Sequence, residues 1–152
     1  MLDVGRDKIQ NKDLAKRVVL KKGDAENLEF DSNSFDIISI GYGVRNFENL
    51  EKGLKESFRV LAPHGKLIIL ETSVPSNPLF RFIFNIYTKL FISLISSIFS
   101  KNPKAYTYLE KSAKNFPSGD DFAKILLKSG FKNVKIEPKL FGASTIYIAT
   151  KW

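Results

Sequence analysis

Residues that could bind or activate a ligand follow three short apolar segments of the sequence. These segments lead into loops at Gly23–Glu26, Gly41–Asn46 and Glu71–Ser73. A carboxylate such as that of Asp24 can accept hydrogen bonds from an amine or a sugar hydroxyl. Arg45 adds a positive charge to a loop in which Gly41 and Gly43 would let a ligand approach the backbone. The residue types alone leave two other roles open, a loop cap for Asp24 and a surface ion pair for Arg45.

The spacing of apolar residues predicts the elements that must position these loops. Arg17–Lys22, Phe35–Ile40 and Lys66–Leu70 are apolar runs of strand length. The run at Phe35–Ile40 is nearly continuous, which favours a strand covered on both faces, as in a parallel sheet. Glu48–Leu61 carries apolar residues three and four apart, which predicts an amphipathic helix. A strand, a helix and a strand in this order predict a parallel βαβ unit, whose carboxyl edge is where ligands bind.

The remainder of the chain predicts further helices and a hairpin. The helices are predicted at Met1–Lys16, Pro103–Asn115 and Gly119–Ser129, and the strands of an antiparallel hairpin at Phe131–Glu137 and Ser144–Thr150. A length of 152 residues suits one domain, so we expect a single α/β domain over residues 1–152.

The composition excludes several classes of site. The chain has 24 Lys and Arg against 16 Asp and Glu, a net charge of +8, but the lysines are scattered without interleaved aromatic residues. Nucleic-acid binding is therefore not expected. With no cysteine and one histidine, no metal site is expected. The first residues lack the apolar core of a secretory signal, which predicts a cytoplasmic protein.

Three motifs carry a resemblance to a known family. The stretch from Gly23 to Pro75 contains GVRNF and RVLAPHGKL, and KNPKAYTYLEKSAKNFP follows at residues 101–117. Together they resemble the ubiquinone/menaquinone biosynthesis C-methyltransferases, which are class I methyltransferases dependent on S-adenosylmethionine. The resemblance covers nearly the whole chain and leans toward the menaquinone branch. It implies a Rossmann-like α/β fold and C-methylation of a demethylmenaquinol or demethoxyubiquinol-type ring.

The resemblance also implies roles for particular residues. Asp24 and Ala25 match the pair that holds the adenine of S-adenosylmethionine, and Gly41 matches a further cofactor contact that is often Ser in the family. Arg45 matches the arginine proposed to help activate the quinol. Its guanidinium would stabilise a phenolate-like oxygen, although it holds its own proton too tightly to act as a base. The substrate-side positions implied by the family are Tyr106 and Tyr108.

One part of the family pattern is missing. Class I methyltransferases begin with a strand, a glycine-rich loop and a second strand that ends in a ribose-binding acid, and no such segment is present here. We therefore expect an N-terminally truncated domain with little or no methyltransferase activity by itself. The rival hypothesis is a non-catalytic fragment, or a quinone- or membrane-binding module, that cannot hold the cofactor. The predicted strands at Arg17–Lys22 and Phe35–Ile40 would then either pair directly or join two copies of the chain.

The segment from Leu79 to Phe99 is long and apolar, and we expect an inserted helix over residues 78–102. Its Leu, Ile and Phe residues favour insertion into a bilayer by about −6 kcal/mol in total, whereas Arg81 and Lys89 oppose it by up to about 3 kcal/mol each. A membrane span is therefore not predicted. Two roles remain open, a core or lid helix and an interfacial helix that lets the enzyme meet a quinone in lipid.

Overall fold

The computed structural model describes residues 2–11, 14–75, 77–87, 112 and 115–152. The helices are α1 (Leu2–Asn11), α2 (Leu50–Val60), α3 (Pro78–Tyr87) and α4 (Asp120–Lys128), and the strands are β1 (Phe35–Gly41), β2 (Leu61–Thr72), β3 (Lys132–Lys139) and β4 (Ser144–Thr150). Short 3-10 turns lie at Val44–Asn46 and Leu140–Gly142.

The described strands form one mixed sheet in the order β1-β2-β4-β3. Strands β1 and β2 are parallel and are joined through α2, which confirms the predicted βαβ unit. Strands β3 and β4 pair in an antiparallel hairpin, also as predicted, and β4 runs antiparallel to β2. The carboxyl ends of β1 and β2, at Gly41 and Thr72, therefore lie at the same edge of the sheet.

The core lies on one face of this sheet. Leu67 and Ile69 of β2 are fully buried together with their cross-strand partners on β4, Ala149 and Tyr147. Helices α2 and α4 cover this face with three side chains that are also fully buried, namely Leu54, Phe122 and Leu126. The apolar spacing that predicted α2 therefore reflects a stripe of buried side chains. The helix begins at Leu50, close to the predicted start at Glu48, and Asn49 is its N-cap.

The prediction of a strand over Arg17–Lys22 is wrong. This segment is neither helix nor strand, and Val19 is 82% exposed. A strand needs a neighbour for its backbone hydrogen bonds, and no strand of the described residues lies beside this segment. The predicted direct pairing of Arg17–Lys22 with β1 is therefore also absent.

Strand β1 is not covered on both faces as its apolar run predicted. It pairs with β2 alone among the described strands, and Ile37 is 61% exposed. The alternation of half-buried and exposed positions along β1 fits an edge strand that packs on the core with one face only.

The predicted inserted helix lies only in part within the described residues. Helix α3 spans Pro78–Tyr87, whereas the remainder of the predicted 78–102 helix lies outside the described residues. The same holds for nearly all of the predicted helix at Pro103–Asn115. Among the residues that are described, no helix combines the length and the hydrophobicity of a membrane span.

Candidate functional site

The loop that carries Asp24 is fixed by its own turn and by the start of α2. Asp24 Oδ1 accepts a hydrogen bond from the Glu26 backbone N at 2.9 Å, and the Asp24 carbonyl accepts one from Asn27 at 3.1 Å. Glu26 Oε1 in turn accepts from the backbone N of Asn49, the N-cap of α2, at 2.8 Å. A carboxylate at a helix N-terminus is favourably placed, so the loop is held where α2 begins.

A partly exposed ion pair on α2 holds the following residues of the same loop. Glu56 Oε2 accepts from Leu28 N at 2.9 Å, and Arg59 donates to the carbonyls of Leu28 and Phe30 at 2.8 and 2.7 Å. The hydrogen bonds from Arg59 lower the pKa of Glu56 to about 2, with a smaller contribution from Leu28. The Asp24 loop is therefore attached to α2 at two points along the helix.

A cavity of about 450 Å³ opens between this loop and the loop that follows β1. It is lined by Gly23, Asp24, Ala25, Glu26, Gly43, Asn46, Phe47 and Glu48. The structure thus brings Asp24 and Ala25 together with the glycine-containing loop. Gly41 is not part of this lining and lies at the end of β1, paired with Leu70.

The glycines of the second loop are not required by its turn geometry. The positive φ of the loop, 53°, belongs to Tyr42, and neither Gly41 nor Gly43 lies in the left-handed region. A Cβ at Gly41 would have no neighbour within 4 Å, and one at Gly43 would lie 3.4 Å from Ile40. The space beside Gly41 is therefore open, as the approach of a ligand would require.

Arg45 forms an ion pair with Glu71 at the carboxyl edge of the sheet. Arg45 Nη1 donates to Glu71 Oε1 at 2.5 Å and to the Tyr42 carbonyl at 2.9 Å, and the Arg45 backbone N lies 3.4 Å from Glu71 Oε2. The Glu71 side chain is fully buried and that of Arg45 is 10% exposed. Arg45 is therefore not in a surface ion pair, which was the alternative left open by the sequence.

The guanidinium of Arg45 has a buried donor without a partner in the described part of the chain. Its Nε is buried and has no hydrogen-bond partner among the described residues. A buried donor without a partner loses the hydrogen bonds that water would make, at a cost of about 1–3 kcal/mol. An anionic or strongly polar ligand oxygen beside Arg45 would recover that loss.

Glu71 is the site residue for which the sequence suggested no role. It was noted only as one residue of a polar loop, although Leu67, Ile69 and Glu71 share a face of β2 because side chains alternate along a strand. Because every second side chain of β2 faces the same side of the sheet, Glu71 lies on the buried face with Leu67 and Ile69. An acid in that position needs a cationic partner, so this signal could have identified Glu71 as a member of a buried ion pair, but not Arg45 as its partner.

A second cavity, of about 440 Å³, is lined by residues that directly follow β2 and by Thr145 near the start of β4. Its lining includes Ser73, whose Oγ is 2.8 Å from Thr145 Oγ1 and donates to the Gly142 carbonyl at 2.7 Å. Nearby, burial raises the pKa of Tyr147, and the charge of Glu71 adds to this effect. The Arg45–Glu71 ion pair thus joins the loop after β1, which lines the first cavity, to the end of β2, which is followed by Ser73 in the lining of the second cavity.

The two remaining candidate residues, Tyr106 and Tyr108, lie outside the described residues. Within the described ranges, no three His, Cys, Asp or Glu side chains are grouped so that they could hold a metal ion.

Comparison with known proteins assigns the chain to a family. The sequence model of the ubiE/COQ5 methyltransferase family matches residues 1–151. The chain belongs to this family. It is 38% identical to a demethylmenaquinone methyltransferase of Bacteroides fragilis over 151 residues, which are 99% of this chain and 62% of that protein. The chain therefore spans about three-fifths of the length of this relative.

Solved structures of methyltransferases share the fold. A SAM-dependent methyltransferase from Aquifex aeolicus aligns with a TM-score of 0.62 at 16% identity, over 96% of this chain and 61% of that one. A phosphoethanolamine N-methyltransferase of Haemonchus contortus, solved with S-adenosylhomocysteine, gives 0.67 at 16% identity, over 99% and 41%. The Rossmann-like α/β fold of class I methyltransferases that the sequence predicted is thereby confirmed for this family member.

Proposed function

We propose that this protein takes part in methyl transfer from S-adenosylmethionine to a ring carbon of a demethylmenaquinol. The observation that carries the proposal is the cavity that joins Asp24 and Ala25 to Gly43 and Asn46 of the loop after β1, the loop that also carries Arg45. The family membership and the name of the Bacteroides fragilis relative support this reaction and substrate. A ubiquinone precursor is the alternative substrate.

The residues around this cavity suit the adenine end of S-adenosylmethionine. Its volume of about 450 Å³ lies in the range of small-molecule sites. Asp24 uses Oδ1 for the Glu26 backbone N, and no described donor is bonded to its Oδ2. That oxygen can accept a hydrogen bond from an exocyclic amine, while the Ala25 backbone offers groups for a ring nitrogen.

Arg45 supplies the electrostatic part of the reaction. S-adenosylmethionine held by Asp24 and Ala25 would supply a methyl group on a sulfonium. The electron-rich ring carbon would take this methyl group as the carbon–sulfur bond breaks, and the proton on that ring carbon would pass to water. A positive charge at the quinol oxygen raises the electron density of the ring by favouring the phenolate form.

Calorimetric titration with S-adenosylmethionine tests the cofactor part of this proposal. We expect the full chain to bind the cofactor only weakly, because the glycine-rich loop and the ribose-binding acid of the family pattern are missing from it. Asp24→Ala should weaken this binding at least tenfold further, since a hydrogen bond to a charged group is lost. Asp7→Ala, an exposed acid on α1, is the matched control and should bind as the unchanged chain does. No heat of binding from the unchanged chain would favour the rival hypothesis, a fragment or module that cannot hold the cofactor.

We further propose that this protein is cytoplasmic and makes peripheral contact with a membrane, because long-chain quinols reside in lipid. Helix α3 exposes four apolar side chains, Leu79, Phe82, Ile83 and Ile86. They follow the i, i+3, i+4, i+7 spacing of one helix face. Leu140 and Phe141, also exposed, extend this surface, because the Phe80 and Phe141 rings stack at 4.8 Å. An apolar helix face of this kind, on a chain of charge +8, suits peripheral contact with an anionic bilayer.

A second copy of the chain is the protein partner that we infer for the free edge of β1. Edge strands offer unpaired backbone groups to another strand, and the exposed Ile37 would be covered by such pairing. Sedimentation equilibrium should show a dimer that Ser39→Pro disrupts, because proline removes a backbone donor from the edge. A monomer at micromolar concentration would contradict this part of the proposal.

A further inference from the structure

We infer that Glu71 is a positioning residue that holds Arg45 so that its Nε–H binds the oxyanion of a phenolic substrate. This inference rests on the proposed function, because it needs a quinol-type substrate beside Arg45. It adds a residue for which neither the family resemblance nor the sequence suggested a role. The ion pair joins the loop after β1 to the end of β2, which are the two chain segments at the carboxyl edge of the sheet.

The hydrogen bonds of Glu71 direct its carboxylate at Arg45 and Thr72. Glu71 Oε1 accepts from Arg45 Nη1 at 2.5 Å, from Thr72 N at 2.8 Å and from Thr72 Oγ1 at 3.1 Å, while Oε2 faces the Arg45 backbone N. These contacts fix the orientation of a fully buried carboxylate, with both of its oxygens facing Arg45. Its role is to fix the guanidinium.

The same contacts determine which edge of the guanidinium is left for a ligand. Nη1 is occupied on two sides, by Glu71 and by the Tyr42 carbonyl, whereas the buried Nε has no partner among the described residues. Because the guanidinium is planar and rigid, fixing Nη1 also fixes the direction of the Nε–H bond. A preorganised donor stabilises developing negative charge without reorganising during the reaction. The geometry therefore reserves Nε–H for an oxygen that becomes anionic.

The experiment uses a chromophoric phenol as the probe, because its ionisation can be read without turnover. 4-Nitro-1-naphthol is titrated in the presence of saturating full chain, and the pKa of the bound phenol is followed by the absorbance of its phenolate. We expect the unchanged chain to lower that pKa relative to free probe and Arg45→Met to abolish the shift. Glu71→Gln, which keeps the side-chain size but removes the charge, should reduce the ionisation constant of the bound phenol about tenfold.

A double variant separates positioning from a purely structural role. If Glu71 acts through Arg45, adding Glu71→Gln to Arg45→Met should not change the pKa of the bound phenol any further. The effects of the two substitutions on this pKa are then not additive. Glu137→Gln is the control, because it also removes a glutamate from ion pairs, here with Lys135 and Lys139 on β3, away from Arg45. It should leave the probe pKa unchanged. Equal probe pKa values for Glu71→Gln and the unchanged chain, or additive effects in the double variant, would overturn the inference.

A second measurement tests, without any ligand, whether Glu71 positions the Arg45 side chain. The Nε–H of Arg45 gives a nitrogen-15 NMR signal, assigned by its loss in Arg45→Lys, and burial should slow its exchange with solvent. Glu71→Gln should speed this exchange at least tenfold, whereas an unaltered rate would overturn the positioning role. Failure of the unchanged chain to bind the naphthol would instead contradict the proposed quinol substrate, while the exchange rate still tests whether Glu71 holds Arg45.

Discussion

The guanidinium of Arg59 binds both carboxylate oxygens of Glu56, with Nε and Nη2 each donating at 2.9 Å. The same two side chains hold the backbone of the Asp24 loop at Leu28 and Phe30. One ion pair on α2 therefore sets the position of the loop that lines the first cavity. Its strength bears on both the stability of the fold and the shape of that cavity.

The Glu56–Arg59 pair should make the protein sensitive to acid. Arg59 lowers the pKa of Glu56 from 4.5 to about 2, so the folded state binds this proton less readily than the unfolded chain. The stabilisation is therefore complete above pH 4.5 and is lost as the pH falls toward 2. Glu56→Gln should lower the free energy of unfolding by about 1–2 kcal/mol at pH 7, and the difference from the unchanged chain should shrink at pH 2.5.

Urea denaturation at the two pH values measures this difference. Glu29→Gln, an exposed acid of the same loop, is the control and should leave the unfolding midpoint unchanged at pH 7. A Glu56→Gln variant whose deficit is the same at pH 7 and pH 2.5 would show that the pair does not carry the acid sensitivity.

Gly53 should not tolerate a methyl group, although it lies in the middle of a helix. Replacing a helical glycine by alanine normally gains about 1 kcal/mol. Here the added Cβ would lie within 3 Å of the Phe47 ring, which lines the Asp24 cavity. Overpacking of this kind costs about 1–3 kcal/mol, so we expect Gly53→Ala to lower the free energy of unfolding and to weaken cofactor binding.

The control for Gly53 is Gly23→Ala, where a Cβ meets nothing within 4 Å. This change should be neutral or stabilise the fold by up to about 1 kcal/mol, because it restricts the unfolded chain. Thermal unfolding of both variants under the same conditions compares these two changes in stability. An increase in the melting temperature of Gly53→Ala would mean that Phe47 moves aside without cost.

Helix α2 and the β3–β4 hairpin could be predicted from the sequence because the patterns that indicate them are local. The apolar spacing around Leu54 and the alternation in Ser144–Thr150 depend only on neighbouring residues. The failure at Arg17–Lys22 has a different origin, since an apolar run becomes a strand only beside another strand. The partner of Arg45 was also beyond local reasoning, because the contact joins Arg45 to Glu71, which lies 26 residues further along the chain.

Lys151 should stabilise the fold from the end of the chain. Its Nζ donates to the carbonyls of Phe58 and Leu61 at 2.7 Å and to Asn33 Oδ1 at 2.8 Å, where α2 ends. A cation at a helix C-terminus satisfies carbonyls that the helix itself leaves unpaired. Lys151→Met should lower the free energy of unfolding by about 1–3 kcal/mol in urea denaturation.

The matched control for Lys151 is Lys55→Met, at an exposed position within α2. Methionine and lysine have similar helix propensities, so this variant should unfold as the unchanged chain does. Equal stability losses for the two variants would mean that the carbonyl contacts of Lys151 contribute nothing beyond the removal of a charge.

The exposed face of α3 should bind membranes through its apolar side chains. Phe82 is 64% exposed and Ile83 is 53% exposed, and full burial of such a side chain is worth about 1.5–3 kcal/mol. Sedimentation with anionic vesicles should therefore show that the double variant Phe82→Glu, Ile83→Glu binds at least tenfold more weakly than the unchanged chain. Raising the salt concentration should weaken binding of the unchanged chain only in part, because the apolar contribution is not screened.

Leu127→Glu provides the control for the membrane prediction, because Leu127 is 51% exposed on α4, outside the α3 surface. If vesicle binding depends on the α3 surface, this variant should bind as the unchanged chain does. Equal losses from the α3 and α4 variants would show that added negative charge alone reduces binding to an anionic bilayer. Complete release of the unchanged chain by salt would likewise contradict a contribution from the apolar face of α3.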